Sequence, residues 1–436
     1  MSGLAKVLRQ KGLQVSGSDI KESGNTKNLQ KIGVKVVIGH NAANIDNTDA
    51  VVISSAIRPD NVELVEARKK GIDIYQRAQM LALVAKGKKV IAISGTHGKT
   101  TTTSMTSLVF ELNGLDPTFL IGGELNDIGS NAKHGQSDYF IAETDESDGS
   151  LLNFDPDWLV VTNIEADHLD YFGTFDKVVE LFETFLNKIR PGGKAIVYGD
   201  HPHIKNLIPN LNKKLITYGA SPANDFYYSD FKQKDFGSTF NVYKQGQKLG
   251  RLALNVPGEH NALNSLAALI LGAEAGLSFG QIKKALSTFS GVKRRFQLIG
   301  KTRQASIYDD YAHHPTEVAA TLKAVAAEKS GRLVCVFQPH RYSRTSFLAD
   351  EFGLSFSQAD LVIVTDVYSA GETPLPGVSG KLIADAILGH EGQKNLAYLP
   401  RLSDVVSFLE KEISAGDTVI TMGAGDISTV GQRLLA

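Results

Sequence analysis

The sequence is poor in cysteine: Cys335 is the one such residue in 436. An intramolecular disulfide is therefore excluded, and so is a metal site built from several thiolates. Cys335 lies in the apolar run 332–337, so we expect a small buried hydrophobic side chain in a strand rather than a catalytic thiol.

Long apolar runs and an excess of charge of one sign are also missing. No stretch of about 18 apolar residues exists, and the N-terminus lacks a charged-then-apolar leader, so we expect a cytoplasmic protein. The formal net charge is -1, with 46 Lys and Arg against 47 Asp and Glu. This balance gives no electrostatic reason to expect nucleic acid or an anionic membrane as a partner.

Length and pattern together predict several α/β domains. A chain of 436 residues exceeds the size at which one hydrophobic core stops growing. Short β-branched runs alternate with helical patterns, which is typical of parallel sheets with helices on their faces. We expect three α/β domains, 1–85, 86–297 and 298–436, with an antiparallel excursion between about 213 and 256. The predicted strands are 13–15, 34–38, 50–53, 72–75, 90–93, 139–142, 159–161, 195–198, 306–308, 333–337, 361–364 and 419–422.

A glycine-rich loop, Gly-Thr-His-Gly-Lys-Thr at 95–100, follows the strand at 90–93 and precedes a helix. Glycines let backbone N–H groups turn toward phosphate oxygens, the lysine neutralises their charge, and the next hydroxyl reaches Mg²⁺. A full Walker motif would place a further glycine five positions before Gly98, where Ile93 stands. The motif alone is therefore only a moderately specific signal for a phosphate site. The alternative is a glycine-rich turn with an incidental lysine. The strand and helix around it favour a phosphate site.

Two further strands of the same domain end in groups that can bind a metal: Glu143 directly, and His168 after a short turn. Ligands of parallel α/β sheets bind beyond the carboxyl ends of the strands. Both side chains should therefore lie on the side of Lys99 and Thr100. Thr100 and Glu143 offer the hard oxygen ligands that Mg²⁺ prefers, so we expect the first metal site there.

The other polar residues of these turns have ordinary alternatives. His168 could instead be a loop histidine hydrogen-bonded to Asp167 or Asp170. For Glu165 and Asp167, a solvated acidic turn is as good an interpretation as metal contact. The acidic run 145–148 is interpreted mainly as a charged loop.

Six segments taken together resemble a known family. They are the loop at 95–102, Asn-Ile-Glu-Ala-Asp-His at 163–168, Gly-Glu-His-Asn at 258–261, Arg-Arg-Phe at 294–296, Asp-Asp-Tyr-Ala-His-His-Pro-Thr-Glu at 309–317, and Phe-Gln-Pro-His-Arg-Tyr-Ser-Arg-Thr at 337–345. In this order, over nearly the whole chain, they are similar to the Mur ligases of peptidoglycan synthesis. The resemblance implies a Rossmann-like N-terminal domain, a central P-loop ATPase-type domain and a Rossmann-like C-terminal domain.

The resemblance also implies an activity. The carboxylate of UDP-N-acetylmuramate would attack the γ-phosphate of ATP, and the amine of L-alanine would displace phosphate from the resulting acyl phosphate. Mg²⁺ would be the cofactor, and the enzyme a monomer or homodimer in the bacterial cytoplasm. Two alternatives stay open: a recycling ligase that adds a whole tripeptide to the same acceptor, and a nucleotide-binding protein without catalysis.

For the ATP end, the matching motifs imply that His260 and Asn261 bind adenine and that Arg295 reaches the γ-phosphate. For His260 and Asn261 the alternative is an ordinary helix N-terminus, since Asn is a good cap. For Arg295 the alternative is a solvated linker cation. The implied ATP-binding residues are Gly95, Thr96, His97, Gly98, Lys99, Thr100, Thr101, His260, Asn261, Arg295 and Asp310, and the implied metal ligands are Thr100, Glu143 and His168.

For the amino-acid end, the resemblance places Tyr311 and His313 near L-alanine, with His313 among the catalytic residues. Arg341 and Arg344 would grip its carboxylate, a role that suits the bidentate fork of arginine. Their spacing puts both on one face if the chain turns helical after Pro339. The alternative for this region is a metal cluster of His313, His314 and Glu317.

The UDP end departs from the family. Members begin with a strand and a glycine-rich turn before a Met-Ser-Gly-Leu-Ala helix, and this sequence starts at that helix. We therefore expect that a strand and turn, roughly 15–25 residues, precede Met1 in the natural gene or were removed from a fragment. UDP contacts then fall to Asp19, Ser54 and Ser55, for which ordinary turn and cap roles are the alternative.

Overall fold

The structure, a computed structural model, describes residues 1–211, 213–302, 305–392 and 394–436. The chain folds into two compact units. Unit 1 comprises Met1–Ile164, Val179–Tyr218 and Ala267–Ile282, and unit 2 comprises Glu165–Val178, Gly219–Leu266 and Lys283–Ala436. Of the helices in the described ranges, none has the length and apolarity needed to cross a membrane.

The first 85 residues alternate helices with short strands. The elements are α1 (Ser2–Gln10), β1 (Ser16–Asp19), α2 (Gly24–Lys31), β2 (Lys35–Ile38), β3 (Ala50–Ile53), α3 (Val62–Lys70), β4 (Asp73–Gln76) and α4 (Arg77–Ala85), with a 3₁₀ helix at Ala42–Ile45. β1 pairs with β2 and β3 pairs with β4, both in parallel. The strand predicted at 13–15 is wrong because the chain there is still closing α1: the Leu13 N–H donates to the Leu8 carbonyl at 3.1 Å, and Gly12 has a φ of 93°.

A mostly parallel sheet follows in unit 1. The elements from 89 to 219 are β5 (Lys89–Ser94), α5 (Lys99–Leu112), β6 (Thr118–Leu125), β7 (Ser130–Lys133), β8 (Tyr139–Glu143), β9 (Trp158–Val161), α6 (Leu169–Phe172), α7 (Phe175–Asn187), β10 (Lys194–Tyr198), α8 (Pro202–Leu207) and β11 (Lys214–Gly219), with 3₁₀ helices at Ser150–Asn153 and Ile208–Asn210. Within unit 1 the strand order is β11-β10-β9-β5-β8-β6-β7, parallel except at β7. β5 lies between β8 and β9, and its residues from Val90 to Ile93 are buried, which explains their continuous apolar run.

An antiparallel meander and two helices follow along the sequence; residues Ala267–Ile282 of these helices belong to unit 1. They are β12 (Phe226–Lys234), β13 (Gly237–Lys244), β14 (Gln247–Leu254), α9 (Glu259–Glu274) and α10 (Phe279–Leu286). The meander confirms the predicted antiparallel excursion, although β11, in the same stretch of sequence, pairs with β10 in parallel.

The C-terminal part of unit 2 is a second α/β sheet. Its elements are β15 (Gln297–Lys301), β16 (Ala305–Asp310), α11 (Pro315–Ala326), β17 (Leu333–Phe337), α12 (Tyr342–Phe347), α13 (Ala349–Gly353), β18 (Leu361–Val364), α14 (Gly380–Glu391), β19 (Leu396–Tyr398), α15 (Leu402–Glu412), β20 (Asp417–Met422) and α16 (Ser428–Leu434). The order across the sheet is β15-β16-β20-β17-β18-β19, with β15 antiparallel. The α/β prediction is confirmed.

β17 shows how this sheet buries both faces. Leu333, Cys335 and Phe337 pack into one apolar cluster, and Val334 and Val336 pack into another. This alternation is the period of two expected for a strand between two helical layers. Cys335 is fully buried, as predicted, and burial raises the pKa of its thiol.

Truncating this core tests the packing. Phe337→Ala is expected to lower the free energy of unfolding by about 3–5 kcal/mol, because the ring is fully buried against Phe352 at 5.1 Å and Phe356 at 5.3 Å. Leu354→Ala is the control, since Leu354 is 59% exposed, and should change stability by less than about 0.5 kcal/mol. Denaturant unfolding measures both, and equal losses would contradict the assignment of Phe337 to the core.

Candidate active site

The phosphate loop connects β5 to α5, and its shape depends on two glycines. Gly95 has a φ of 125° and Gly98 a φ of 80°, values that other residues rarely adopt. A Cβ at Gly95 would lie 2.1 Å from Thr162 Oγ1, just after β9. The backbone therefore approaches β9 so closely that the loop requires glycine at this position.

The loop is also held by Asn163. The backbone N–H of Thr96 donates to the Asn163 carbonyl at 3.2 Å, and the N–H of His97 donates to Asn163 Oδ1 at 2.8 Å. Thr101 lies partly exposed in the first turn of α5. The predicted strand–loop–helix arrangement is confirmed, and its backbone is fixed by contacts within unit 1, as a preorganised anion site requires.

Lys99 opens α5, and its ammonium group lies inside the loop. Nζ donates to the carbonyls of Gly95 at 2.6 Å and Thr96 at 3.1 Å, and to the two carboxylate oxygens of Glu146 at 2.9 and 2.8 Å. The Glu146 side chain is 2% exposed, so the interpretation of 145–148 as a charged loop is wrong at this residue. Burial disfavours the charge of Lys99, but Glu146 and its acidic neighbours outweigh this and raise the pKa of Lys99.

Thr100 and Glu143 meet beside the loop, as predicted. Thr100 Oγ1 donates to Glu143 Oε1 at 2.9 Å, and the Gly122 N–H donates to Glu143 Oε2 at 2.7 Å. A Cβ at Gly122 would lie 2.6 Å from that same oxygen, so this glycine, which no sequence motif singles out, makes room for the carboxylate. The hydroxyl and carboxylate oxygens fit Mg²⁺, which prefers such hard ligands.

His168 belongs to the segment Glu165–Val178 of unit 2. It has a left-handed backbone with a φ of 56°, and its N–H donates to Asp167 Oδ1 at 2.8 Å. The ring Nε2 lies 3.6 Å from Asp167 Oδ2, so the alternative of a histidine beside Asp167 describes this arrangement. Its role as a metal ligand stays a prediction.

Asp167 pairs with an arginine of unit 2, which neither interpretation of this residue anticipated. Arg344 donates to it from Nε at 3.1 Å and from Nη2 at 2.9 and 3.1 Å. The two side chains are 9% and 5% exposed. Burial would raise the pKa of Asp167, but Arg344 and nearby histidines outweigh this and hold it well below its ordinary value.

Arg341 lies outside the helix that was expected to carry it. α12 begins at Tyr342, and Arg341 precedes it with a φ of 71°, so the prediction that both arginines share one helical face is wrong. Arg341 Nη1 lies 3.3 Å from Asp170 Oδ2 and 3.7 Å from Glu372 Oε1. The two arginines nevertheless line one small pocket, together with Ala166, Asp167, His168, Leu169, Asp170, Ser343, Phe347 and Leu348.

Asp310 ends β16 and is enclosed by backbone donors. The N–H groups of Phe296 and Ala312 donate to its two oxygens at 2.8 and 2.7 Å. Burial raises the pKa of Asp310 to about 6, although Arg295 pulls it down. This position at a strand end agrees with the predicted nucleotide role, which stays a prediction.

Glu317 organises the neighbouring group. It accepts from the His313 N–H at 3.1 Å and lies 3.5 Å from Arg295 Nη1, and the Arg295 guanidinium lies 5.3 Å from the Tyr311 ring. Burial lowers the pKa of His313 to about 3. His314 instead contacts the Ala166 carbonyl at 3.3 Å, so His313 and His314 have different partners and do not form the alternative metal cluster with Glu317.

The two residues predicted to bind adenine, His260 and Asn261, lie at the start of α9; adenine binding stays a prediction. The helix begins at Glu259, so both residues lie in its first turn, and the alternative of an ordinary helix N-terminus describes this arrangement, although Asn261 is the third residue and not the cap. Asn261 Nδ2 donates to the Pro257 carbonyl at 2.7 Å. Burial, followed by the charge of Arg295, lowers the pKa of His260 to about 4.

The candidate UDP residues show ordinary turn contacts. Asp19 ends β1, and its Oδ1 accepts from the Lys21 N–H at 3.3 Å. Ser54 follows β3, and its carbonyl accepts from the Ile57 N–H at 3.1 Å, while Ser55 is exposed in the same turn. These contacts fit the turn alternative, and UDP binding by the three residues stays a prediction.

Family models match almost the whole chain. The family model described as Mur ligase family, catalytic domain, matches residues 1–89, the Mur ligase middle domain matches 93–272, and the Mur ligase, glutamate ligase domain, matches 294–425. Among similar curated proteins, the UDP-N-acetylmuramate–L-alanine ligase of Desulforamulus reducens is 50% identical over 438 residues, which cover 100% of this chain and 95% of that protein. The ligase of the same name from Pelotomaculum thermopropionicum is 46% identical, with coverage of 100% and 94%.

Solved structures of Mur ligases share this fold. UDP-N-acetylmuramate–alanine ligase MurC from Thermotoga maritima superposes with a TM-score of 0.84 at 28% identity, covering 100% of this chain and 95% of that one. A murein peptide ligase from Psychrobacter arcticus has a TM-score of 0.74 at 24% identity, covering 100% and 95%, and shows the fold alone. The predicted three-domain α/β fold is confirmed.

Replacing Gly95 tests the loop geometry. Gly95→Ala is expected to reduce ATP binding at least about tenfold, because the new methyl group would overlap Thr162 and push the loop away from β9. Gly114→Ala is the matched control, since Gly114 also has a positive φ, of 73°, but a Cβ placed there would have no atom within 4 Å. Titration calorimetry with ATP measures both variants, and equal affinities would contradict the steric requirement.

The low pKa of His260 predicts part of the loss of folding stability at acid pH. The folded protein keeps this imidazole neutral down to about pH 4, whereas an unfolded chain protonates it near pH 6.5. Its contribution to stability is therefore complete above pH 6.5 and is lost as the pH falls toward 4. His260→Gln should lose less stability than the wild type between pH 7 and pH 5 in denaturant unfolding. An identical loss in both proteins would contradict the neutral state.

Proposed function

The chain belongs to the Mur ligase family, and we propose that it joins L-alanine to the carboxylate of UDP-N-acetylmuramate with the consumption of ATP. The observation that carries this proposal is the 50% identity, over the whole chain, to a ligase of that name. The phosphate loop and the arginine-lined pocket supply two sites that such a reaction needs.

The chemistry has two steps. A carboxylate oxygen of UDP-N-acetylmuramate attacks the γ-phosphorus of ATP, the bond to the β,γ-bridging oxygen breaks, and ADP leaves. The amine of L-alanine then attacks the acyl carbon, phosphate leaves, and the amine gives up a proton. In phosphoryl transfer the protein acts mainly by positioning and by stabilising charge.

In unit 1, Lys99 is the cation for the phosphate oxygens. The Lys99 ammonium group donates to both carboxylate oxygens of Glu146. This contact fixes the position of the positive charge, which supports its role in binding an anion. Thr100 and Glu143 would hold Mg²⁺, which when bound neutralises charge on the ATP oxygens.

The assignments in unit 2 form part of the same proposal. His168 would ligate a second metal ion, His260 and Asn261 would contact adenine, and Arg295 would contact the γ-phosphate. Asp310 meets the nucleotide, and Tyr311 and His313 lie near the amino acid. Burial lowers the pKa of His313 to about 3, so it is neutral at pH 7 and can accept a hydrogen bond.

The pocket of unit 2 supports a small amino acid. Arg341 and Arg344 supply positive charge for a carboxylate, and Leu169, Phe347 and Leu348 supply apolar surface for a methyl group. The tripeptide-adding alternative has less support: curated relatives from 43% to 50% identity are named as L-alanine ligases, whereas the peptide ligase structure shares 24% identity.

Substrate requirement tests the proposed function. Release of ADP should need UDP-N-acetylmuramate and L-alanine together, and kcat/KM should be at least about tenfold higher with L-alanine than with L-alanyl-γ-D-glutamyl-meso-diaminopimelate. A coupled ADP assay measures both. Faster turnover with the tripeptide would establish the recycling alternative, and ATP binding without any turnover would establish the nucleotide-binding alternative.

Lys99 offers a second test. Lys99→Ala should lower kcat at least about 100-fold, because the transition-state charge loses its cation. Lys194→Ala is the matched control: Lys194 of unit 1 also forms an ion pair, with Glu274, and both side chains are only partly exposed. Its kcat should stay close to that of the wild type. Comparable activity in the two variants would refute the assignment of Lys99.

A further inference from the structure

The Asp167–Arg344 pair uses a defined edge of the guanidinium group. Asp167 Oδ1 lies 3.1 Å from Nε and 2.9 Å from Nη2, and Oδ2 lies 3.1 Å from Nη2. This is the side-on edge of a planar group, and Nη1 makes no contact with Asp167. The N–H groups of Nη1 are therefore not used by this carboxylate.

Asp167 is itself fixed by its own turn. Its Oδ1 accepts from the His168 N–H at 2.8 Å, and its N–H donates to the Glu165 carbonyl at 3.0 Å. On the other side of Arg344, Nη1 lies 3.4 Å from both Nδ1 and the carbonyl oxygen of His340. The guanidinium plane is thus held between Asp167 and His340.

Burial makes this pair sensitive to loss of one partner. With side-chain exposures of 9% for Asp167 and 5% for Arg344, removing the carboxylate would leave the cation in a poorly solvated place. A long arginine side chain without its anchor would adopt other rotamers, and the direction of its remaining N–H groups would change.

We propose that Asp167 is a positioning residue for the amino-acid substrate: it holds Arg344 side-on in the pocket lining so that the remaining N–H groups of the guanidinium meet the substrate carboxylate. This inference rests on the proposed function, because it takes Arg344 as the group that binds the carboxylate of L-alanine. Asp167 acts through Arg344, and so sets the affinity for the α-carboxylate.

Steady-state kinetics of Asp167→Asn tests this role. The amide keeps the shape and loses the charge, so the KM for L-alanine should rise about 10- to 100-fold. The KM values for ATP and UDP-N-acetylmuramate and the Mg²⁺ concentration for half-maximal activity should stay within about twofold. Asp167→Glu, which retains the charge, should recover part of the L-alanine affinity.

Asp417→Asn is the matched control. Asp417 and Arg332 form the same kind of side-on pair elsewhere in unit 2, with distances of 3.3 and 2.8 Å, and Asp417 is 2% exposed. This control variant should lose stability in thermal unfolding and keep the wild-type KM for L-alanine. A similar rise in KM for both variants would mean that the effect is structural and would overturn the proposal.

Three further results are decisive. An unchanged KM for L-alanine in Asp167→Asn would overturn the proposal, and so would a parallel rise for all three substrates or a changed Mg²⁺ requirement. If Asp167→Asn fails to fold, Asp167→Glu alone tests the proposal. Its KM for L-alanine should then rise while its KM for ATP stays within about twofold, and equal changes in both would overturn the proposal. Wild-type enzyme in the same assay separates the two levels: no turnover with L-alanine would refute the proposed function itself.

Discussion

A buried ion pair, Lys99 with Glu146, is the interaction on which the phosphate loop depends. A lone ammonium group at this depth would be strongly disfavoured, and the carboxylate from the turn after β8 compensates for it. The contact requires β5 and β8 to be neighbours, because each supplies one partner beyond its carboxyl end. The sheet order thus determines whether a charged lysine can remain in the loop.

The same principle places the remaining polar groups. Glu143 ends β8, Asp310 ends β16, and Arg344 lies in α12, a short turn after β17. In each sheet the candidate site residues lie at or beyond the carboxyl ends of parallel strands, where the backbone leaves the ladder and side chains can converge. At the amino end of a strand, by contrast, Asp417 begins β20 and forms an ion pair with Arg332.

Much of this arrangement follows from local sequence. The apolar run of β5, the glycines of the loop and the acid after β8 are neighbours along the chain, so one strand–loop–helix pattern predicts them together. The roles of Glu146 and Asp167 do not follow from it because their partners, Lys99 and Arg344, lie 47 and 177 residues away, and only the folded sheets bring them together. The prediction for Arg341 is wrong because three-residue spacing implies a shared face only inside a helix, and α12 begins one residue later.

In the proposed reaction, a carboxylate is activated through transfer of the γ-phosphate of ATP. The most direct measurement uses UDP-N-acetylmuramate labelled with oxygen-18 in its carboxylate, with ATP and L-alanine as co-substrates, and mass spectrometry of the released phosphate. One labelled oxygen should appear in each phosphate, because the oxygen that attacks the γ-phosphorus departs with it. Release of phosphate without the label, while the amide product forms, would contradict the acyl-phosphate route.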